Sequence, residues 1–194
     1  MTEKVTWKTW SSNLHNDHLI LRDVRESMPG NGAMEIHWLV RLLENPKSRW
    51  ALSGAIDLFD HDCMHVLLGR GMLPQDEAFV IGFCMGADSK LKFWEPALFK
   101  LFSRFIYPKI YRFTPKQARI YDIALNLARR SQCRDLHLFD FKGNEHLTIG
   151  EVRAMLKIDI RELAKAFAIE RQLIPDSRES KRLDVGIMAG GQMA

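Results

Sequence analysis

Cysteine is scarce in this chain of 194 residues, since only Cys63, Cys84 and Cys133 occur. They are odd in number and far apart, and none belongs to a Cys-x-x-Cys pair. This pattern argues against a disulfide framework and against a thiolate zinc site. A reducing compartment such as the cytoplasm is therefore expected.

Long apolar runs are also missing, because no stretch approaches the roughly 20 residues needed to span a bilayer. Residues 1–10 contain no hydrophobic signal core and carry Glu3 early. The sequence thus predicts a cytoplasmic protein whose membrane contact, if any, is peripheral on the inner membrane.

Charge of one sign is only mildly in excess, with 28 basic and 24 acidic residues and a net charge of +4. That excess is too small to indicate nucleic-acid binding by itself, and no nucleic-acid partner is expected. The chain also contains no phosphate-binding glycine loop and no Gly-x-Ser-x-Gly elbow, which argues against the enzymes that carry those motifs.

The apolar residues that are present recur mostly at helical spacing, so the fold class predicted is all-α. We expect one helical domain over residues 1–175 and a flexible tail over residues 176–194. The stretch 135–141 is predicted to form a short strand. The helices are expected over residues 14–25, 33–43, 46–68, 94–111, 115–130, 148–158 and 159–173, with a further helix opening at Pro74.

Two histidines in the predicted third helix form the centre of the chemistry. His61 and His65 are four residues apart and therefore project from one face on consecutive turns. Asp62 lies three residues before His65 and can reach the same face with an oxygen atom. Asp57, one turn before His61, could orient its imidazole, but a solvated helix residue is the favoured interpretation.

Glu77 is expected to face these histidines from the next helix. His65 comes four residues before Gly69, where one helix should end, and Glu77 comes three residues after Pro74, where the next should begin. If the two consecutive helices are antiparallel, both side chains lie about one turn from the bend. The sequence therefore predicts a divalent-metal site of His61, Asp62, His65 and Glu77, with Asp62 either a ligand or a catalytic proton-handling group. Zinc is the favoured ion, with iron, manganese or magnesium as alternatives.

The same residues resemble a known family. His61-Asp62-Cys63-Met64-His65, then eleven residues, then Glu77 is similar to the His-Asp-x-x-His-x11-Glu signature of the ubiquinone (coenzyme Q) biosynthesis protein 4 family. The similarity covers about residues 54–90 and is that of a divergent bacterial member. It implies an all-helical fold, a divalent metal usually described as zinc, and a peripheral membrane role in quinone synthesis.

The resemblance also implies a ligand and partners. The ligand would be a polyprenylated ring precursor or another isoprenoid lipid, and the reaction would remove the ring carboxyl of a polyprenylated benzoate and hydroxylate that carbon. The partners would be an anionic membrane surface and other quinone-biosynthesis proteins.

Residues 90–119 are basic and aromatic. Eight Lys or Arg residues stand against Glu95 alone, and eight aromatic residues are interleaved with them. An amphipathic helix of this composition suits an anionic membrane surface or an isoprenoid tail. The alternative is a core helix whose basic residues cover its outer face, and the sequence leaves the two open.

Two other functions compete with the first. His37, His61-Asp62 and either Asp122 or Asp135 imitate the order of ligands in HD-type metal-dependent phosphohydrolases, but that interpretation leaves His65 and Glu77 without a role. The second is a non-catalytic lipid-binding scaffold, in which the metal is structural or anchors a headgroup.

Overall fold

The structure, a computed structural model, describes residues 5–29, 53–105 and 112–183. Within these ranges all the elements of regular secondary structure are helices, which confirms the all-α prediction. The helix expected over residues 33–43 and the start of the one expected from residue 46 lie outside the described residues.

Nine α-helices occur in the described ranges, and a single 3-10 turn, Leu136–Leu138, separates the fifth from the sixth. In chain order they are α1 Leu21–Glu26, α2 Leu58–Leu67, α3 Pro74–Ala87, α4 Glu95–Phe105, α5 Pro115–Arg130, α6 Phe141–Asn144, α7 Ile149–Leu156, α8 Ile160–Leu173 and α9 Arg178–Arg182.

Side-chain caps explain several of these boundaries. Asp57 accepts a hydrogen bond from the Asp60 backbone N–H and begins α2. Thr148 and Glu151 form the capping box of α7. Asp159 caps α8, but it does so through the N–H of Arg161. Asp57 is thus a helix cap, which fits the plainer of its two interpretations.

Helix α3 is the centre of the molecule and packs most closely on α5. A Cβ atom added at Gly82 would lie 2.4 Å from the Tyr121 carbonyl oxygen, and one at Gly86 would lie 2.3 Å from that of Leu125. Only glycine at these two positions, one helical turn apart, permits such close backbone approach. The C-terminal half of α3 is thereby held directly against α5.

The buried apolar side chains form a large cluster around α2, α3, α5, α7 and α8, and a smaller one around α4. In the smaller cluster, the rings of Phe99 and Tyr121 stack with centroids 5.2 Å apart. Phe99 is therefore the anchor of α4, which explains why this part of the basic and aromatic segment is core.

The predicted strand over residues 135–141 is wrong. Asp135 adopts a left-handed conformation with φ of 52° and is followed by the 3-10 turn and by α6. Leu136 and Phe141 are buried, whereas Leu138 is 76% exposed, so burial here does not alternate as it would along a strand.

The helix expected over residues 14–25 is shorter than predicted, because α1 begins only at Leu21. Asn13 has a positive φ of 62°, and Leu14 is nevertheless completely buried. The apolar residues at helical spacing here belong partly to a packed turn.

The flexible tail predicted from residue 176 is wrong for residues 177–183. Ser177 caps α9, and Ser180 and Leu183 are buried. Residues 184–194 lie outside the described residues. No helix in the described part of the chain is long and apolar enough to cross a membrane.

Candidate metal centre

The end of α2 fixes the first half of the site. Gly69 has φ of 65°, and its N–H donates to the Val66 carbonyl while the Arg70 N–H donates to the His65 carbonyl at 2.9 Å. This is a Schellman termination, which needs a left-handed residue where Gly69 stands. It ends the helix one turn after His65 and turns the chain back toward it.

The start of α3 fixes the second half. Pro74 occupies the first turn, where its missing N–H costs nothing. The Asp76 carboxylate accepts from the Leu73 N–H at 3.0 Å and so anchors the turn. Glu77 follows directly and its side chain extends toward α2.

Three of the predicted side chains converge between the helices. Glu77 Oε1 lies 3.4 Å from His65 Nε2, and Glu77 Oε2 lies 3.6 Å from His61 Nε2. One ligand atom from each of His61, His65 and Glu77 lies within 4.8 Å of the others. Two imidazole nitrogens and a carboxylate oxygen at these separations can hold a metal ion.

A backbone carbonyl orients His65 within this group. Its Nδ1 lies 2.6 Å from the Gly71 carbonyl oxygen. A carbonyl can only accept, so Nδ1 carries a proton, and Nε2 is the nitrogen that faces Glu77 and can bind a metal once its own proton is lost. Backing of this kind is a common feature of histidines that bind metals.

The protonation of the three groups is set by burial and by their mutual charges. Burial lowers the pKa of His61 to about 4, which keeps its imidazole neutral. Burial also disfavours charge on His65 and Glu77, but their mutual attraction outweighs it, raising the pKa of His65 and lowering that of Glu77. Without metal, His65 and Glu77 form an ion pair, and a bound cation would take the place of the His65 proton.

Asp62, the fourth predicted ligand, is not part of this three-residue group. Its carboxylate is partly buried, which raises its pKa to about 6, and its charge interacts with both His65 and Glu77. Asp62 is therefore a neighbour of the site, and the pKa of its carboxyl group is close to neutral pH.

The aspartates required by the phosphohydrolase alternative have other partners. Asp122 accepts from Lys100 Nζ at 2.8 Å, and Asp135 accepts from the Ser89 backbone and hydroxyl. Neither belongs to the metal-binding group found in the described residues. His37 lies outside the described residues.

The sequence did not predict a second set of polar residues behind the site. Arg70 and Glu170 are completely buried and form two parallel hydrogen bonds of 2.9 Å. An arginine between Gly69 and Gly71 was a visible signal for a constrained loop. Nothing in the sequence, however, pairs Arg70 with a carboxylate 100 residues later.

Comparison of the chain with family models, curated proteins and solved structures finds no match. The geometry of the site is therefore the main support for any function.

Proposed function

We propose that this protein is a metal-dependent component of ubiquinone or related prenylquinone biosynthesis that binds a polyprenylated ring precursor. It either promotes oxidative decarboxylation of that precursor or holds it for the other enzymes of the route. The convergence of His61, His65 and Glu77 carries the proposal, because these are three of the four residues of the signature that the chain resembles.

Zinc is the proposed ion for ligand binding, since two imidazoles and one carboxylate are a frequent zinc set. Because zinc has no redox chemistry, iron or manganese is the alternative for the oxidative reaction. His61 and His65 would supply neutral nitrogens, and Glu77 would supply charge. A metal held by three protein groups supplies a Lewis acid for a carboxylate or phenolic oxygen of the substrate. Asp62, with its raised pKa of about 6, would exchange a proton beside that oxygen.

The outer side of α4 supports the lipid half of the proposal. Trp94, Leu101 and Phe105 are seven and four residues apart and are 42%, 52% and 61% exposed. Lys92 and Arg104 lie over the Trp94 and Phe105 rings, at 5.5 Å from each centroid. We call this group of five residues the α4 outer face. Large exposed apolar side chains rimmed by cations suit an isoprenoid chain or an anionic membrane surface, and we place the protein in the cytoplasm at the inner membrane.

A turnover assay tests the proposal. Replacing a ring carboxyl by a hydroxyl releases CO2 and consumes one oxygen atom, so the reaction is supplied with a polyprenylated hydroxybenzoate, molecular oxygen and a two-electron reductant. We expect metal-dependent product from the wild-type protein and none from Glu77→Ala, with exposed Glu26→Ala as the matched control.

Binding is measured beside turnover. Co-purifying lipid is identified by mass spectrometry, and prenylated ligand is titrated at micromolar concentrations. Binding without product would assign the scaffold role, and neither binding nor product would contradict the proposal.

A further inference from the structure

A buried ionic network connects the metal loop to the two C-terminal helices. Three members are completely buried: Arg70 from the loop, Asp76 from the first turn of α3 and Glu170 from α8. The fourth, Arg182 from α9, is partly exposed. Gln75 and Ser180 complete the network, since Gln75 Nε2 donates to Glu170 and, at 3.0 Å, to the Ser180 hydroxyl.

Arg70 is the hub of this network. Its guanidinium donates twice to Glu170, pairs with Asp76 Oδ1 at 3.2 Å, and lies over the Phe79 and Phe167 rings at 4.4 and 5.1 Å. Arg182 pairs with the other oxygen of Asp76. The side chain of Arg70 is thus held between α3 and α8.

The network touches the metal site at both of its halves. The Arg70 N–H binds the His65 carbonyl, and the next residue, Gly71, accepts from the His65 ring. Asp76 anchors the first turn of α3 and directly precedes Glu77. A Cβ atom at Gly71 would lie 2.7 Å from the Trp10 carbonyl, so the loop has no room to relax on its other side.

Buried ion pairs are an expensive way to stabilise a fold. The free energy of desolvating such charges is about as large as their attraction. Apolar residues of similar volume often stabilise the fold as well or better. What a network of fixed charges adds is a defined geometry. Here that geometry is the position of residues 70–71 and 76–77.

We propose that Arg70, Asp76 and Glu170 are positioning residues that set metal affinity by fixing the Gly71 carbonyl against His65 and Glu77 against both histidines. The C-terminal helices α8 and α9 are then part of the metal site, although none of their residues is a ligand. This inference depends on the metal binding proposed above and adds to it a source of affinity outside the ligands.

The test uses zinc titration and the absorption spectrum of the Co2+-substituted protein, both on the full chain. Glu170→Gln removes the negative charge that Arg70 faces on α8 and leaves Asp76 as its carboxylate partner. We expect the zinc Kd to rise about 10- to 100-fold, as is usual when residues that orient metal ligands are lost, and we expect the Co2+ bands to change. Phe99→Leu, in the smaller cluster around α4, is the control that lowers Tm without touching the network.

A double variant separates positioning from stability. Arg70→Met with Glu170→Leu replaces the ion pair by apolar residues between Phe79 and Phe167, and we expect it to recover Tm without recovering zinc Kd or the Co2+ spectrum. Recovery of all three, or a wild-type Kd in Glu170→Gln, would overturn the inference.

Two further outcomes keep the inference distinct from the function it extends. If Glu170→Gln does not fold, Asp76→Asn removes the charge that faces Arg70 while keeping an oxygen for the Leu73 N–H, and an unchanged zinc Kd there would overturn the inference equally. Zinc binding at wild-type strength in every network variant removes only the positioning role, whereas a wild-type protein that binds no zinc removes the metal site itself.

Discussion

The α2–α3 hairpin and the α4 outer face differ in how their functional side chains are held. In the hairpin, His65 is buried, with its ring bonded to Gly71 and its Nε2 paired with Glu77. On α4 the buried residues are Glu95, Pro96, Phe99 and Ser103, and the large apolar residues of the outer face remain exposed. The hairpin thus holds its side chains in place without a ligand. The α4 outer face instead presents exposed apolar and basic side chains.

This difference suggests a division of labour. A metal site needs ligand atoms placed in advance, because misplacement weakens both affinity and chemistry. A lipid or membrane contact depends on apolar area and charge, and it tolerates exposed, less constrained side chains. We therefore expect substitutions in the hairpin to change metal binding alone and substitutions on the α4 outer face to change lipid binding alone.

The largest effect is expected from removing a ligand. His61→Ala, His65→Ala and Glu77→Ala should each weaken zinc binding by more than about 100-fold, which exceeds the usual cost of losing an orienting residue. Circular dichroism should show intact helices, because α2 and α3 bury their own apolar residues. His18→Ala, at an exposed histidine outside the group, is the control, and full zinc occupancy in Glu77→Ala would remove the facing-helix geometry.

Acidity should weaken zinc binding by about tenfold for each pH unit below the raised pKa of His65, because one proton must leave its ring. The metal-free protein should respond in the opposite sense. The raised pKa of His65 contributes stability that is fully present below the ordinary value of 6.5 and is lost as pH rises through the raised value.

The lowered pKa of Glu77 contributes stability that is fully present above the ordinary value of 4.5. This contribution is lost as the pH falls through the lowered value. Melting curves across this range, with zinc and with chelator, check both signs. A zinc-induced rise in Tm that is larger in acid than above neutrality would contradict the site.

A smaller effect is expected on the α4 outer face. Arg104→Glu should weaken binding to anionic liposomes by about fivefold or more at low salt, since each near-surface charge is worth about 1 kcal/mol. Leu101→Asp should reduce retention of prenyl lipid while zinc content stays constant. Lys142→Glu, an exposed charge reversal on α6, is the control. Wild-type liposome binding by Arg104→Glu would show that this face does not contact membranes.

No effect on zinc is expected from His37→Ala, because His61, His65 and Glu77 already account for the metal-binding group found in the described residues. Metal analysis of the purified variant checks this. Loss of zinc in His37→Ala together with retention in His65→Ala would favour the phosphohydrolase alternative.

The metal-binding hairpin was predictable because its determinants are local in sequence. The spacing of His61 and His65, the glycine that ends α2 and the proline that opens α3 all lie within 17 residues, and they predicted which side chains meet. Asp62 was included because it lies three residues before His65 and belongs to the same signature, but it is not part of the group that converges.

Long-range features could not be predicted in this way. The pairing of Arg70 with Glu170 and the contact of Gly82 with Tyr121 depend on how distant helices pack. The error at residues 135–141 has the same origin, since which of its apolar residues are buried depends on how the turns pack on distant helices. Local patterns predicted the ligands, and only the fold reveals what holds them in place.

The most direct test of the central claim is zinc K-edge X-ray absorption of the protein loaded with one equivalent of zinc. The account predicts two imidazole nitrogens at about 2.0–2.1 Å and oxygen at about 2.0–2.2 Å, without sulfur, and loss of one imidazole in His65→Ala. A sulfur shell, or a wild-type spectrum in His65→Ala, would contradict it.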